Sequence, residues 1–185
     1  MPKVTRGEIL DLQAYDRERD RHRESAIRAK AARRVHVGPW LTFLFENHET
    51  IRYQIHEMVR AERLFREPEI AHEVETYNEL IGGPGELGCS LLIEIPDPAE
   101  RDRKLRRWLK LVEHLYVKLP DGRKVRASFD PRQVGDDRLS SVQYLRFDVK
   151  GVAPVAVGCD LPEAAAEAPL GPEQRKALED DLGPA

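Results

Sequence analysis

The hydrophobic pattern of this 185-residue chain changes at residues 82–85. Before that point apolar residues recur with a helical period, and after it they form short alternating runs, as in β-strands. The segment itself, Gly-Gly-Pro-Gly, is a strong helix terminator. The sequence therefore predicts an α+β fold. A helical N-terminal half (residues 1–81) packs with an antiparallel sheet of about four strands from the C-terminal half (residues 88–158).

The length suits one well-buried core, so we predict a single domain over residues 1–159. Residues 160–185 are rich in Ala, Glu and Pro and carry seven acidic residues against two basic ones. Such a composition buries little apolar surface, which predicts a disordered acidic tail.

Several sequence features bear on where the protein acts. The chain has no signal-peptide pattern and no run of 18 apolar residues, and its two cysteines are far apart. We therefore expect a cytoplasmic protein that does not contact membranes. The net charge of −3 makes nucleic acid an unlikely partner, because such binders usually carry a strong basic excess.

Turn and strand signals fill the second half. Residues 113–119 and 123–129 flank a Leu-Pro-Asp-Gly turn, which predicts a hairpin. Residues 89–95 and 141–149 indicate further strands. Residues 152–157 predict an edge strand, because Pro154 interrupts the run. In the first half, only the alternating segment of residues 34–38 indicates a strand.

Residues 43–80 hold nine acidic residues against four arginines, a local charge of −5, together with three histidines. Two consecutive helices are predicted here, one capped by Asn47 and one starting near Pro68. At about 100° per residue, the apolar side chains of the first helix share one face. They are Ile51, Ile55, Met58, Val59 and Phe65.

The opposite side of that helix carries what we call the polar row: Glu46, Thr50, Tyr53, Glu57 and Arg60. Glu57 lies about one turn from both Tyr53 and Arg60. Such a row is typical of an ion-paired surface. It also suits a carboxylate tuned for proton transfer, which makes Glu57, Arg60 and Tyr53 the candidate catalytic residues. The alternatives turn on whether another element covers the row.

A weaker alternative is a metal site at Glu69 and His72, which form an E-x-x-H step. Di-iron bundles use two such steps, with all ligands facing inward. This chain has one, and His72 points away from the apolar stripe of its helix. The sequence therefore predicts no metal site and leaves the cofactor unknown.

A set of short motifs gives the chain a family resemblance. They are Thr5-Arg-Gly-Glu-Ile-Leu, Arg33-Arg34-Val-x-Val-Gly38, Phe45-Glu46-Asn47 with Thr50, Gln54-x-x-Glu57-Met58-x-Arg60-x-Glu62-Arg63, Glu73-x-x-x-Tyr77-Asn78-Glu79-Leu80, Gly85-Glu86-Leu87 and Ser141-Val142-Gln143-Tyr144-x-Arg146-Phe147. Over about residues 3–150 the chain resembles the bacterial domain of unknown function family 3501 (DUF3501).

The resemblance implies no established activity. It implies a link to redox or oxidative-stress metabolism, with iron–sulfur oxidoreductases or rubrerythrin-like proteins as partners. It also marks polar helical positions as binding candidates, namely Glu46, Asn47, Thr50, Gln54, Glu62 and Arg63.

Two functional hypotheses follow. In the first, the protein is a non-catalytic accessory protein that binds a redox partner through the acidic helices or through the basic segment of residues 101–110. In the second, it is an enzyme or metal-dependent redox protein that uses the carboxylate-rich helix. A homo-oligomer is compatible with both hypotheses.

Overall fold

The computed structural model of the chain describes residues 1–183. Its helices and strands follow in chain order: α1 (Leu12–Ala31), β1 (Arg34–Val37), β2 (Leu41–Glu46), α2 (His48–Ala61), α3 (Glu67–Asn78), β3 (Glu86–Ile93), α4 (Pro98–Arg107), β4 (Leu115–Lys118), β5 (Lys124–Arg126), β6 (Val142–Asp148), β7 (Ala156–Cys159), β8 (Ala166–Pro169) and α5 (Pro172–Leu182). The α+β class is confirmed.

The strands form two antiparallel sheets of four strands each, in the orders β1-β2-β3-β6 and β5-β4-β7-β8. Phe43 and Phe147 of the first sheet share one hydrophobic core with Val117 and Val157 of the second, and all four are fully buried. Alternation along a strand sends every second side chain to the same face, so the two inner faces meet as a sandwich. The core of this sandwich is the larger of the two hydrophobic clusters in residues 1–183.

The helices α1, α2 and α3 form a layer over the other face of the first sheet. A second cluster, which includes Ile51, Ile55 and Ile70, lies inside this layer. Gly88 of β3 permits the close contact, because a Cβ there would lie 1.8 Å from the backbone oxygen of Leu80. A side chain at position 88 would therefore push the end of the α3 segment off the sheet.

The expected division into a helical half and a sheet half is only partly right. The strands β1 and β2, from residues 34–46, supply half of the first sheet, and the C-terminal strands divide between two sheets. All six residues of β2 are buried. Such a strand shows no alternation, and a short buried run does not reveal its secondary structure by periodicity.

The predicted disordered tail is wrong for residues 160–183, and its last two residues lie outside the described chain. The strand β8 pairs with β7, and α5 places Leu178 in the sandwich core with no exposure. The helix starts at Pro172, a residue favoured in the first turn. Because β8 covers its outer side, β7 is an internal strand and not the predicted edge.

Two local signals are confirmed elsewhere, and one core assignment is wrong. Asn47 caps α2, with its side chain accepting from the backbone N–H of Thr50. The predicted turn joins β4 to β5. Residues 6–8 form a short 3₁₀ turn, and α1 starts later, with Asp11 as its cap. Phe65 is 70% exposed and does not belong to the core face of α2.

Candidate functional site

The helix α1 covers the polar row. Of its 20 residues, only Tyr15 and Ala26 are buried, and α1 packs along α2. A helix with so few apolar contacts depends on polar ones for its position. The part of the row from Tyr53 to Arg60 therefore lies at the interface between α1 and α2, whereas Glu46 and Thr50 face the first sheet.

Glu57 is the centre of that interface. Its carboxylate accepts a hydrogen bond from the Tyr15 hydroxyl at 2.6 Å and two from Arg19, each at 2.8 Å. The Arg19 hydrogen bonds are the main reason that the pKa of Glu57 lies below its usual value. Burial, followed by the hydrogen bond to Glu57, raises the pKa of Tyr15 well above its usual value. A carboxylate held this way is a strong acceptor but a weak base at neutral pH.

The other two catalytic candidates contact different partners. Arg60 donates to Asp16 of α1 at 2.7 Å, and this pair is exposed to solvent. The ring of Tyr53 lies 5.4 Å from the Lys30 ammonium group. Among residues 1–183, neither side chain hydrogen bonds to Glu57. The three candidates share a helix face, but each of them contacts α1 separately.

The N-terminal end of the row connects α2 to the first sheet. The buried Glu46 carboxylate accepts from the Thr50 hydroxyl at 2.6 Å and from the Ser90 hydroxyl at 2.7 Å. Asn47 donates to Asp181 of α5 at 3.2 Å, and Arg33 binds the same carboxylate through two hydrogen bonds. These contacts fix α2, β3 and α5 relative to one another.

The remaining binding candidates are scattered. Gln54 lies close to Tyr77 of α3. Glu62 and Arg63 are exposed at the end of α2, where Arg63 adopts the left-handed conformation, with φ of 53°. This conformation is typical of a residue that ends a helix. The structure does not bring these three residues together with Glu46 or Glu57.

The weak metal alternative has no supporting geometry in the described part of the chain. Glu69 forms an ion pair with Arg66, and His72 is exposed. Within residues 1–183 no group of three or more His, Cys, Asp or Glu side chains is arranged to hold a metal ion. Cys89 and Cys159 are both buried as free thiols.

Sequence reasoning missed the stacked pair of His56 and Tyr15, whose rings lie 4.5 Å apart. The His56 Nδ1–H donates to the Arg52 carbonyl, and its Nε2 accepts from the Leu10 N–H, so both ring nitrogens are used. Burial lowers the pKa of His56 to about 4. Helical phasing puts His56 at the edge of the core face of α2, but no local pattern indicates its partner on α1.

A second feature is a half-open cavity of about 460 Å³ at the rim between the helical layer and the first sheet. The end of α3, the outward face of β6 and the segment before β6 contribute to it. Its lining residues are Glu79, Leu80, Ser128, Phe129, Asp130, Gln133, Tyr144, Leu145 and Arg146.

A third feature is the acidic surface of α3, which we define by Glu73 and Glu75 of α3 together with Glu62 at the end of α2 and Glu79 at the end of α3. Glu73 and Glu75 lie about 200° apart around the helix, so this charge surrounds α3 and does not mark one face. Within residues 1–183 none of these four forms an ion pair, whereas Glu67 pairs with Arg6. In the basic segment of residues 101–110, Lys104, Arg106 and Arg107 are ion-paired, whereas Arg101, Arg103 and Lys110 form no ion pair within residues 1–183. The acidic surface thus has four side chains without an ion pair in the described residues, against three in the basic segment.

The fold and these features define an α+β protein whose polar helix row holds a helical layer together over a two-sheet sandwich. The chain belongs to the family described as Protein of unknown function (DUF3501), whose model matches residues 3–182. The match confirms the resemblance and extends it through β8 and α5.

The chain is similar to a solved structure described as a novel protein of unknown function from Burkholderia pseudomallei. The two are 30% identical with a TM-score of 0.89, over 98% of this chain and 100% of the other. No curated protein matches the chain. No helix within residues 1–183 combines the length and the apolar character needed to span a membrane.

Proposed function

We propose that the protein is a non-catalytic accessory protein that binds another protein through the acidic surface of α3. The observation that carries the proposal is the set of four glutamates without an ion-pair partner in the described chain. Unpaired charge of one sign steers a partner of opposite charge and sets its orientation. The partner surface is therefore basic.

The exposed side chain of Phe65 supports this assignment. It lies between α2 and α3, in the same chain segment as Glu62, and it is 70% exposed. A large aromatic side chain within a charged surface is the arrangement from which interface hot spots are built. The acidic side chain of Glu62, which would attract a basic partner, and the apolar side chain of Phe65, which would anchor it, therefore lie in one region.

The contacts of Glu57 favour this proposal over catalysis by the polar row. Its carboxylate accepts three hydrogen bonds from Tyr15 and Arg19, and those from Arg19 are the main cause of its lowered pKa. An effective general base needs a pKa near the working pH. In this arrangement Glu57 stabilises the docking of α1 on α2.

The partner class comes from the family resemblance. We propose an iron–sulfur oxidoreductase or a rubrerythrin-like protein, met in the cytoplasm. Isothermal titration with each purified candidate tests the proposal at low and at high salt. We expect the double variant Glu62→Lys/Glu75→Lys to weaken binding by about tenfold or more at low salt, because it reverses two steering charges.

The matched control reverses two acidic side chains elsewhere that form no ion pair within residues 1–183, in Glu113→Lys/Asp136→Lys, and should leave the affinity unchanged. Equal losses in both variants, or no binding to either candidate, would contradict the proposal. So would stoichiometric iron, manganese or zinc that disappears in Glu57→Ala, a result that supports the enzyme hypothesis.

A further inference from the structure

The cavity beside β6 contains a guanidinium group with unused donors. Arg146 donates one hydrogen bond, from Nη2 to the backbone oxygen of Glu79 at 2.7 Å. It forms no ion pair with a carboxylate in residues 1–183. An arginine fork presents five N–H donors, which match a carboxylate in a bidentate arrangement. Most of these donors remain available to a ligand.

Tyr144, two residues earlier on the same face of β6, adds a second polar group. Its side chain is 45% exposed, and its hydroxyl has no hydrogen-bond partner among the described residues. The Gln133 side chain is not available to a ligand. It accepts from the Tyr144 N–H at 2.7 Å and donates to the Tyr144 carbonyl at 2.8 Å. These are the two backbone groups of β6 that a neighbouring strand would otherwise bind.

The walls of the cavity supply apolar surface and few free charges. Leu80 and Phe129 both line it. The Asp130 carboxylate is bound by Arg132 at 2.5 Å, which lowers its pKa to about 2. Glu79 at the rim opposes an anion, but Arg132 and Lys3 both lie within its electrostatic field. The cavity thus combines an apolar wall with one cation that lacks a carboxylate partner.

We propose that this cavity binds the carboxylate of a ligand with a flat apolar body, with Arg146 and Tyr144 as the hydrogen-bond donors and Leu80 and Phe129 against the apolar part. Ligand sites commonly combine an apolar lining with a few convergent polar groups. The carboxylate belongs either to a free organic acid or to an acidic side chain beside an aromatic one in a protein. The site goes beyond the proposed function, because it needs no basic partner and no residue of the α3 surface except Glu79.

The test is a titration of the full chain with 3-phenylpropionate, followed by amide chemical shifts. The neutral analogue 3-phenylpropionamide should bind about tenfold more weakly, since it cannot accept a charge-assisted pair of hydrogen bonds. Arg146→Gln should lower the affinity for the acid by about the same factor. Glu79→Gln should raise the affinity, because it removes the negative charge at the rim. General charge attraction would give the same two signs, so a distant arginine is needed as the control.

Arg123→Gln, an exposed arginine on the β4–β5 turn, is the matched control and should bind like the unaltered chain. Acetyl-Phe-Asp-amide distinguishes the two sources. Binding that depends on Arg146 for the peptide as well as for the acid identifies an acidic protein segment as a ligand. Binding of 3-phenylpropionate alone identifies a free acid.

No binding of either probe at millimolar concentration, or binding that is equal in Arg146→Gln, would overturn the proposal. Neither result depends on Glu62 or Glu75. The experiments can therefore contradict the carboxylate site without contradicting the proposed partner binding, and the reverse also holds.

Discussion

At the scale of single residues, Glu57 shows that a sequence can indicate the position of an important side chain without revealing what that side chain contacts. Helical phasing placed Glu57 on a polar face with Tyr53 and Arg60. Its hydrogen-bond partners, Tyr15 and Arg19, lie 42 and 38 residues earlier in the chain. A contact at that separation depends on how α1 packs, and no local pattern encodes it.

The hydrogen bond from Tyr15 to Glu57 predicts a measurable loss of stability on removal of one oxygen atom. We expect Tyr15→Phe to lower the free energy of unfolding by about 1–2 kcal/mol, because the carboxylate loses a buried donor. Urea denaturation measures the change. The same substitution at Tyr144, whose hydroxyl is unpartnered in the described chain, should cost less than about 0.5 kcal/mol.

The difference between Tyr15→Phe and the unaltered chain should depend on pH. The folded-state pKa of Glu57 is lowered, so its contribution is present above the usual carboxyl range and is lost as the pH falls through the lowered pKa. The two denaturation midpoints should therefore converge in acid. A constant difference at all pH values would contradict the assigned role.

At the scale of elements, α5 is the largest departure from expectation. Its segment has the average composition of a disordered tail, yet Leu178 is fully buried and Asp181 binds Arg33 through two hydrogen bonds. Composition averages over a segment, whereas folding depends on where the few apolar residues lie. The signals present were local: Gly171 and Pro172 start a helix, and Leu178 lies on its inner face.

The packing of α5 predicts that its apolar contact supports the whole sandwich. We expect Leu178→Ala to destabilise the protein by about 2–5 kcal/mol, because it leaves a cavity in the main core. Thermal or urea unfolding measures the loss. Arg175→Ala, an exposed position on the same helix, should change stability by no more than about 0.5 kcal/mol. Equal stability of the two variants would show that α5 does not belong to the core.

At the scale of the whole molecule, two hydrophobic clusters of different size lie on opposite faces of the first sheet. The sandwich cluster is built from strands that the alternating pattern largely revealed. The helical layer is smaller and depends on polar and aromatic contacts such as the Arg19–Glu57 ion pair and the His56–Tyr15 stack. The class of fold and most element types were therefore readable from the sequence. The second sheet and the cover over the polar row were not, because both arise from long-range pairing.

Because the helical layer has the smaller core and contains the buried His56, we expect acid to lower the stability of this layer before that of the sandwich. The pKa of His56 is about 4 in the folded protein against 6.5 for the free side chain, so the unfolded state binds a proton first as the pH falls. Stability is lost between those two values. His22 and Arg52 oppose the proton on His56, and Glu49 favours it.

Amide hydrogen exchange measures this effect. Between pH 7 and about pH 5, we expect the protection factors, which correct for the slower intrinsic exchange in acid, to fall in α1 and α2 and to stay unchanged in β3, since local opening has its own free energy. Replacing the exposed His72 with Gln should leave this response intact. Uniform loss of protection across both clusters would contradict a separate helical layer.

The burial of Leu178 of α5 in the sandwich core has a consequence for synthesis of the chain. Because the sandwich core includes Leu178, a nascent chain that has released only α1 to β7 still exposes the apolar surface that α5 covers. The native packing of the first strands is complete only after residue 182 has left the ribosome. Until then, the exposed core is a surface that a chaperone would recognise.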